Sequence, residues 1–271
     1  MDDRELRRRI YAQLAKDYCC SPGEAADGKN QFHVYVPLEG RRRFEERDEM
    51  FLKVMSFRNK LLFAGDEGII DWCRSRFENT EGAWFMEAGI MRELDRKLAD
   101  YGYCIDKVHP FFVPSPEALR GTDPSPKGEA VSSSYFSHPV KKDGYEIHYY
   151  RRDEILAFRG DKRFGNAFTF VETAPDVIGV AAFRAGQILG MAGASADSDT
   201  FWQIGIDVLP EARGLGIGRI LVKLIRDEIL ACDRVPYYGT AVSHILSQNI
   251  AIGSGFRAVW TELTTAKTDE T

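Results

Sequence analysis

Three glycines within five residues, Gly214, Gly216 and Gly218, form the part of this sequence best suited to chemistry. They lie between an apolar run that ends at Pro210 and a strongly amphipathic segment, so the order strand, turn, helix is predicted. Glycine lets backbone amides approach a bulky ligand, and the first turn of a helix offers unpaired N–H groups and the positive end of its dipole. The pattern therefore predicts a site for a pyrophosphate group.

Other phosphate-binding loops do not fit this spacing. A P-loop needs Gly-Lys-Ser/Thr, whereas this chain has Gly218-Arg219-Ile220. A dinucleotide fingerprint counted from Gly214 would need its third glycine where Arg219 stands, and the expected βαβ repetition does not follow. A turn that needs glycine for its shape alone would explain one or two of the glycines, but not Arg213 together with three.

The elements that must position this turn are predicted from apolar periodicity. Two apolar arms around Arg184-Ala185-Gly186 predict a hairpin of central strands. The helix after the glycines is amphipathic, with six apolar residues on one face: Ile217, Ile220, Leu221, Leu224, Ile225 and Ile229. The other predicted bounds are 177–183 and 187–195 for the hairpin, 201–209 for the third strand, 236–241 for a short strand, and Gly255-Phe256 for the end of the last helix.

Two motifs in this half of the chain resemble those of one superfamily. Arg213-x-x-Gly216-x-Gly218 after a Val-x-Pro strand end resembles the pyrophosphate motif of the GNAT superfamily of N-acetyltransferases. The run from Ser247 to Phe256 resembles the superfamily's segment between the fifth core strand and the last major helix, which ends in Gly-Phe. With the hairpin, the resemblance covers about residues 165–262. It implies a mixed α/β (α+β) fold with a splayed mixed sheet and flanking helices, and acetyl-CoA as co-substrate.

The resemblance also implies which residues hold this co-substrate. The strands that end near Val208 and Thr240 should splay apart, the main chain at Val208 and Leu209 should pair with the pantetheine arm, and Ser247 of the second motif is assigned to the same site. The pyrophosphate should be bound by a run of backbone amides: Arg213, Gly214, Leu215, Gly216, Ile217, Gly218 and Arg219.

The residue at the usual position of the catalytic base differs from the superfamily pattern. Many members carry a glutamate ten residues before the arginine, and Gln203, which cannot take a proton, stands there. Strand side chains alternate, so Gln203, Gly205 and Asp207 share one face of the sheet, and Asp207 is the predicted base. The alternative for Asp207 is a brace for the cofactor loop or the substrate. His244 is the second candidate, with a capping or packing histidine as its alternative.

The proton donor to the departing thiolate is also absent from its usual place. The superfamily's tyrosine, four residues before the glycine of Gly-Phe, is replaced by Ala251. Ser247 or Tyr238 is a candidate substitute, and a thiolate with a pKa near about 8.5 can leave without one. The missing glutamate and tyrosine together keep a second function open, a catalytically silent CoA-binding sensor or scaffold.

The composition limits the chemical class of the acyl acceptor and of the binding partners. The 271 residues carry a net charge of -5, which disfavours nucleic acid as the acceptor, including aminoacyl-tRNA. A small-molecule amine is the predicted acceptor, and the formation of a homodimer is left open.

The charged start and the lack of a run of about 18 apolar residues predict a cytoplasmic protein without a membrane span. The five cysteines and five histidines are dispersed, so we expect reduced thiols and no metal site.

The sequence of the amino-terminal half predicts a smaller α/β domain, and it contains no chemical motif. Its expected elements are a strand at 61–64, a helix at 67–77 capped by Asp66, a helix at 88–101, and strands around Tyr103 and Phe111. The mixed charges of residues 41–49 predict a solvated face or a helix start. Prolines and serines between 114 and 138 predict a linker or an active-site loop. The domains are therefore set at 1–135, of unassigned role, and 136–271, the acetyltransferase domain.

Overall fold

The computed structural model describes residues 1–42, 50–120, 140–142 and 144–269. Within these residues eleven strands form one sheet, in the order β1-β3-β2-β11-β4-β10-β9-β8-β7-β6-β5. The strands are β1 Gln31–Val34, β2 Leu52–Phe57, β3 Lys60–Gly65, β4 Tyr103–Pro114, β5 Val140–Lys142, β6 Tyr145–Arg151, β7 Asp176–Arg184, β8 Gln187–Ala196, β9 Phe201–Val208, β10 Val235–Gly239 and β11 Phe256–Lys267. The predicted mixed α/β fold is confirmed.

The helices cover both faces of the sheet. They are α1 Asp3–Asp17, α2 Pro22–Ala26, α3 Glu67–Phe77, α4 Ala88–Ala99, α5 Pro116–Arg120, α6 Arg152–Ile155, α7 Ile217–Ala231 and α8 Ile245–Gly253. The long helices α3, α4 and α7 pack on one face, which we call the α7 face. Helix α1 and the segment 155–168 pack on the other, the α1 face. Because apolar side chains alternate along the central strands, each face has its own core.

Locally encoded elements agree closely with the sequence predictions. Helix α3 has the predicted bounds, and the Asp66 side chain caps it by accepting from the Gly68 N–H. The hairpin β7–β8 and strand β9 lie within a residue or two of the predicted bounds. The strands expected separately around Tyr103 and Phe111 are one strand, β4. Helix α1 and strands β2 and β11 are among the elements that were not predicted from the sequence.

Strand β11 joins the two halves of the chain. It is antiparallel to β2 on one side and to β4 on the other, from Phe256↔Pro114 to Lys267↔Tyr103. Strands from both predicted domains therefore belong to one sheet. The predicted boundary between residues 135 and 136 lies outside the described residues and stays a prediction, as does the nature of the segment from 121 to 138.

Two glycines let the segment after residue 161 cross the sheet closely. A Cβ on Gly205 would lie 1.8 Å from the Asn166 carbonyl oxygen, and one on Gly193 would lie 1.9 Å from that of Ala167. Since the contacts are with backbone, a side chain there would force the two layers apart. The glycines of β8 and β9 therefore fix where residues 164–168 lie.

Gly205→Ala should lower the free energy of unfolding by about 2 kcal/mol, because overpacking against rigid backbone is destabilising. Urea unfolding of the wild type and the variant measures the difference. Gly89→Ala is the matched control, because it puts the same methyl group into open space on α4 and should leave stability unchanged or raise it slightly. Equal stability of Gly205→Ala and the wild type would contradict the close crossing.

Candidate active site

The amino end of α7 presents a set of unpaired backbone donors. Gly214 and Gly216 have φ of +78° and +76°, the left-handed region that favours glycine. Gly216 is the N-cap and makes no side-chain cap hydrogen bond. Within the described chain, the N–H groups of Gly214, Gly216, Ile217 and Gly218 donate to no backbone or side-chain acceptor. We call these four amides the cradle.

The other three amides of the predicted run are used inside the turn. Arg213 N–H donates to the Pro210 carbonyl at 3.3 Å, Leu215 N–H to that of Ala212 at 3.4 Å, and Arg219 N–H to that of Gly216 at 3.1 Å. The bonds hold the turn in shape, so these residues support the cradle with their backbones. Four of the seven predicted binding amides thus have no acceptor within the described chain, and pyrophosphate binding by the run stays a prediction.

The side chains around the cradle add positive charge. Arg213 and Arg219 are both exposed. The Arg219 guanidinium lies against α8, where a Cβ on Gly253 would come within 2.6 Å of its Nε. Leu215 is exposed at the same turn. An anion at the cradle would therefore meet the positive end of the helix dipole, and two arginines of the same turn add positive charge to this end of α7.

Strands β9 and β10 separate next to the cradle. They pair in parallel from Phe201↔Val235 to Gln203↔Tyr237, and no pair follows. After that point β10 pairs with β4 on its other side, through Tyr238↔Phe112 and Gly239↔Phe111. The splay expected at Val208 and Thr240 is therefore present. We call the space between β9 and β10 beyond Gln203 the opening.

Backbone groups of β9 point into the opening. Leu209 N–H donates to the Leu189 carbonyl, on the β8 side, and backbone groups alternate sides along a strand. The backbone N–H and carbonyl groups of Val208 and Ile206 therefore face β10. This orientation fits the predicted pairing of Val208 with the extended pantetheine arm. Leu209 differs, because its N–H is bound to Leu189 and its carbonyl accepts from Ala212 N–H. Leu209 therefore offers the arm only the second lone pair of its carbonyl oxygen, and its pairing with the arm stays a prediction.

Asp207 is held by the segment that crosses the sheet. Its Oδ2 accepts from the N–H groups of Asn166 and Ala167, each at 2.9 Å, and its Oδ1 accepts from Asn166 Nδ2 at 2.6 Å. Both carboxylate oxygens are thus engaged by protein donors. Asp207 thus braces the crossing segment, which is neither the cofactor loop nor the substrate named in the alternative, and a substrate ammonium would have to share or displace these contacts.

Gln203 lies on the same face as Asp207, at the point where β9 and β10 part. Its side chain is buried and its Oε1 has no hydrogen-bond partner in the described structure. The neighbouring Tyr237 donates from its hydroxyl to Asp197, which Ser195 Oγ also contacts at 2.6 Å. Burial raises the pKa of Asp197 to about 6. Gln203 therefore brings an unsatisfied acceptor, not a base, to the opening.

His244 and Ser247 lie on the β10 side of the opening. His244 is exposed at the N-cap of α8, with Nδ1 3.5 Å from Thr240 Oγ1. Ser247 is buried, and its Oγ lies 2.7 Å from the Tyr238 hydroxyl. Burial raises the pKa of Tyr238. The two proposed substitutes for the missing tyrosine thus form one hydrogen-bonded pair on the α7 face. A proton that leaves one hydroxyl can be replaced from the other.

The start of the charged run 41–49 is not a solvated face. Arg42 is buried, its Nε contacts Asp17 Oδ2 at 2.5 Å, and it also pairs with Glu262. Its guanidinium packs 5.4 to 5.8 Å from the ring centres of Phe111, Tyr237 and Trp260. The prediction is therefore wrong for Arg42, because partners distant in sequence neutralise its charge. Residues 43–49 lie outside the described residues.

The cradle and the opening fit coenzyme A. Four free amides with Arg213 suit a pyrophosphate, and the unpaired edge of β9 at Val208 suits an extended amide chain. A Cβ placed on Gly214 or on Gly216 would meet no atom within 4 Å, so there is room for ligand atoms beside both residues.

Where the structure describes the chain, no three His, Cys, Asp or Glu side chains are grouped to hold a metal, and the five cysteines are free thiols. None of the described helices is long and apolar enough to cross a membrane.

Comparison with known families agrees with the carboxy-terminal placement of the site. Residues 141–249 match the model of the acetyltransferase (GNAT) family. The match includes β9, the cradle, β10 and most of the residues assigned to the site. No curated protein matches the sequence.

Several solved structures are similar at low sequence identity. A GNAT-family protein from Novosphingobium aromaticivorans is 15% identical with a TM-score of 0.40, covering 60% of this chain and 66% of that one. A GCN5-related N-acetyltransferase-like protein from Streptococcus suis is 12% identical with a TM-score of 0.44, covering 96% and 98%. Phosphinothricin acetyltransferase from Sinorhizobium meliloti, solved with acetyl-CoA, is 23% identical with a TM-score of 0.29, covering 41% and 66%.

The family match, rather than these low-scoring likenesses, identifies the domain that carries the cradle and the opening. Residues 141–249 of this chain match the acetyltransferase (GNAT) family model, in the carboxy-terminal half where the motifs predicted it.

Proposed function

We propose that this protein is an N-acetyltransferase that moves an acetyl group from acetyl-CoA to a primary amine of a small molecule. The observation that carries the proposal is the cradle at α7 beside the opening between β9 and β10, within a domain of the acetyltransferase family. The net charge of -5 favours a small molecule over nucleic acid as the acceptor.

The chain supplies binding and orientation at this site. Acetyl-CoA, when bound, supplies an activated acyl thioester. The cradle holds the pyrophosphate by hydrogen bonds to a charged acceptor, each contributing about 1.5 to 3 kcal/mol. The Val208 N–H, which points into the opening, is placed to donate to a carbonyl oxygen as negative charge develops there.

The acceptor amine must lose a proton before it attacks. An ordinary ammonium with a pKa near about 10.4 leaves about one molecule in two thousand neutral at pH 7, a deficit of about 4 to 5 kcal/mol. Asp207 and His244 remain the candidate bases, with ordered water as the third route. Tyr238, through Ser247, is the candidate donor to the departing thiolate.

A catalytically silent CoA-binding sensor is the second candidate. It is favoured by Gln203 and Ala251, which stand where the resemblance implies a glutamate and a tyrosine. A sensor would use the cradle as an enzyme does but would cleave no thioester. Binding alone therefore cannot distinguish the two functions, and turnover must be measured.

The test is a thermal titration followed by an amine panel. Acetyl-CoA at a hundredfold excess over its Kd should stabilise the protein by about 2.7 kcal/mol, and at least one amine should then release free thiol. No shift with CoA or acetyl-CoA at millimolar concentration would contradict the cofactor assignment, and a larger shift with ATP or NADH would replace it. A clear shift with no thiol release across the panel would favour the sensor.

A further inference from the structure

A second cavity lies beside the opening on the α1 face. Its volume is about 60 Å³, and Tyr18, Lys53 and Phe111 are among the residues that line it. The Phe111 ring leans over Gly239, where a Cβ would come within 2.4 Å of it. Gly239 is on β10, which borders the opening. Phe111 therefore borders both this cavity, which we call the α1-face cavity, and the strand that forms one side of the opening.

The two carboxylates of this cavity are both paired with Arg42. Asp17 accepts from Gln13 Nε2 at 2.9 Å, from the Arg42 N–H at 2.8 Å and from Arg42 Nε at 2.5 Å. Glu262 accepts from Arg42 and, at 2.8 Å, from Trp260 Nε1. Two negative charges thus share the single positive charge of Arg42, and the carboxylates of Asp17 and Glu262 also favour the charged form of Lys53. The carboxylate oxygens already accept from Arg42, Gln13 and Trp260, and among the described residues Lys53 Nζ donates to neither of them.

Two hydrogen-bonding groups of the cavity are left without protein acceptors. The Tyr18 hydroxyl is buried, its residue 1% exposed, and it has no hydrogen-bond partner among the described residues. Lys53 Nζ lies 4.9 Å and 4.7 Å from the ring centres of Tyr18 and Tyr35, and no carboxylate of the described chain forms an ion pair with it. Burial lowers the pKa of Lys53, and an anion beside it would stabilise its charged form.

We propose that the α1-face cavity binds an acidic group of the acyl acceptor, through Lys53 Nζ and the Tyr18 hydroxyl. This inference rests on the proposed function, and it names the acceptor as an amine that carries a carboxylate. A volume of about 60 Å³ holds about four water-sized groups, which suits a carboxylate. The cavity and the cradle lie on opposite faces of the sheet, so acceptor and donor meet at the opening from opposite sides.

The experiment compares amines that differ only in their acidic end. The probes are glycine, β-alanine and 4-aminobutyrate, each with its carboxamide, and 2-aminoethylphosphonate beside β-alanine to distinguish a carboxylate from a phosphonate. The variants are Lys53→Met and Tyr18→Phe. Lys97→Met is the matched control, because that lysine also lies over a tyrosine ring, at 5.2 Å from Tyr101, but away from the cavity.

At least one free acid should have a KM about tenfold or more below that of its carboxamide. Lys53→Met should raise the KM for that acid about 10- to 100-fold, as expected for a hydrogen bond to a charged group. The KM for the carboxamide, and kcat for both, should change little. Tyr18→Phe should act in the same direction with a smaller effect, and Lys97→Met should behave as the wild type.

A binding measurement separates this inference from the proposed function. The same acids alone, without acetyl-CoA, should raise the melting temperature of the wild type and not of Lys53→Met. If amines are acetylated but acids and carboxamides are equivalent, or Lys53→Met changes neither, the cavity assignment is overturned while the proposed function stands. If the acids stabilise the wild type but no amine is acetylated, the cavity stands and the proposed function fails. A preference for unsubstituted diamines would instead show a cation site and overturn the inference.

Discussion

Gly216→Asp should weaken acetyl-CoA binding by about 100- to 1000-fold. The residue is the N-cap of α7 within the cradle, and its open surroundings leave room for a ligand rather than for protein atoms. A carboxylate about 4 Å from one phosphate charge would raise the free energy of the complex by about 4 kcal/mol at an effective dielectric constant of about 20. Isothermal titration calorimetry with acetyl-CoA measures the loss directly.

The charge must be separated from the backbone strain of the substitution. Gly216→Asn is the matched variant, since asparagine and aspartate have similar size and both tolerate the left-handed region better than other residues. It should weaken binding far less than Gly216→Asp. Gly186→Asp places the same charge and strain at a hairpin turn with equal φ of +76° and open space, and should bind as the wild type. Equal affinities for Gly216→Asp and Gly216→Asn would show that the cradle does not face the pyrophosphate.

The cradle could be predicted from sequence because its information is local. Glycine spacing, the end of β9 at Val208 and the apolar face of α7 lie within about one strand, turn and helix of each other. Even there, which amides are free depends on the turn, since Arg213, Leu215 and Arg219 each donate to a carbonyl three residues back in the chain. The residue types do not reveal that selection.

The sheet order and the second cavity depend on distant contacts. Strand β11 has mixed polarity, and its partners in β2 and β4 lie far back in the chain, so no short window marks it as a strand. Arg42 meets Glu262 only because β11 lies between β2 and β4. The same arrangement brings Tyr18 and Lys53 to one cavity. No sequence motif gave the amino-terminal half a role, because Tyr18 and Lys53 come together only when the strands have formed the sheet.

Asp207 is the residue for which sequence and structure suggest different roles. As the predicted base it would take a proton from the amine, whereas in the structure it accepts three hydrogen bonds from Asn166 and Ala167. Both roles require a carboxylate, so its presence does not decide between them. A brace acts on the free energy of unfolding, while a base acts on turnover, most strongly where the amine is protonated.

We expect Asp207→Ala to lower the free energy of unfolding by about 1 to 3 kcal/mol, because the N–H groups of Asn166 and Ala167 would lose the carboxylate oxygen that accepts from both. Urea unfolding measures this loss, and Asn166→Ala, which removes only the Nδ2 contact, should lose less. On the folded variant, the pH dependence of thiol release should keep the shape of the wild-type profile. A loss in kcat of about 100- to 10,000-fold that shrinks at high pH, with stability unchanged, would instead identify Asp207 as the general base.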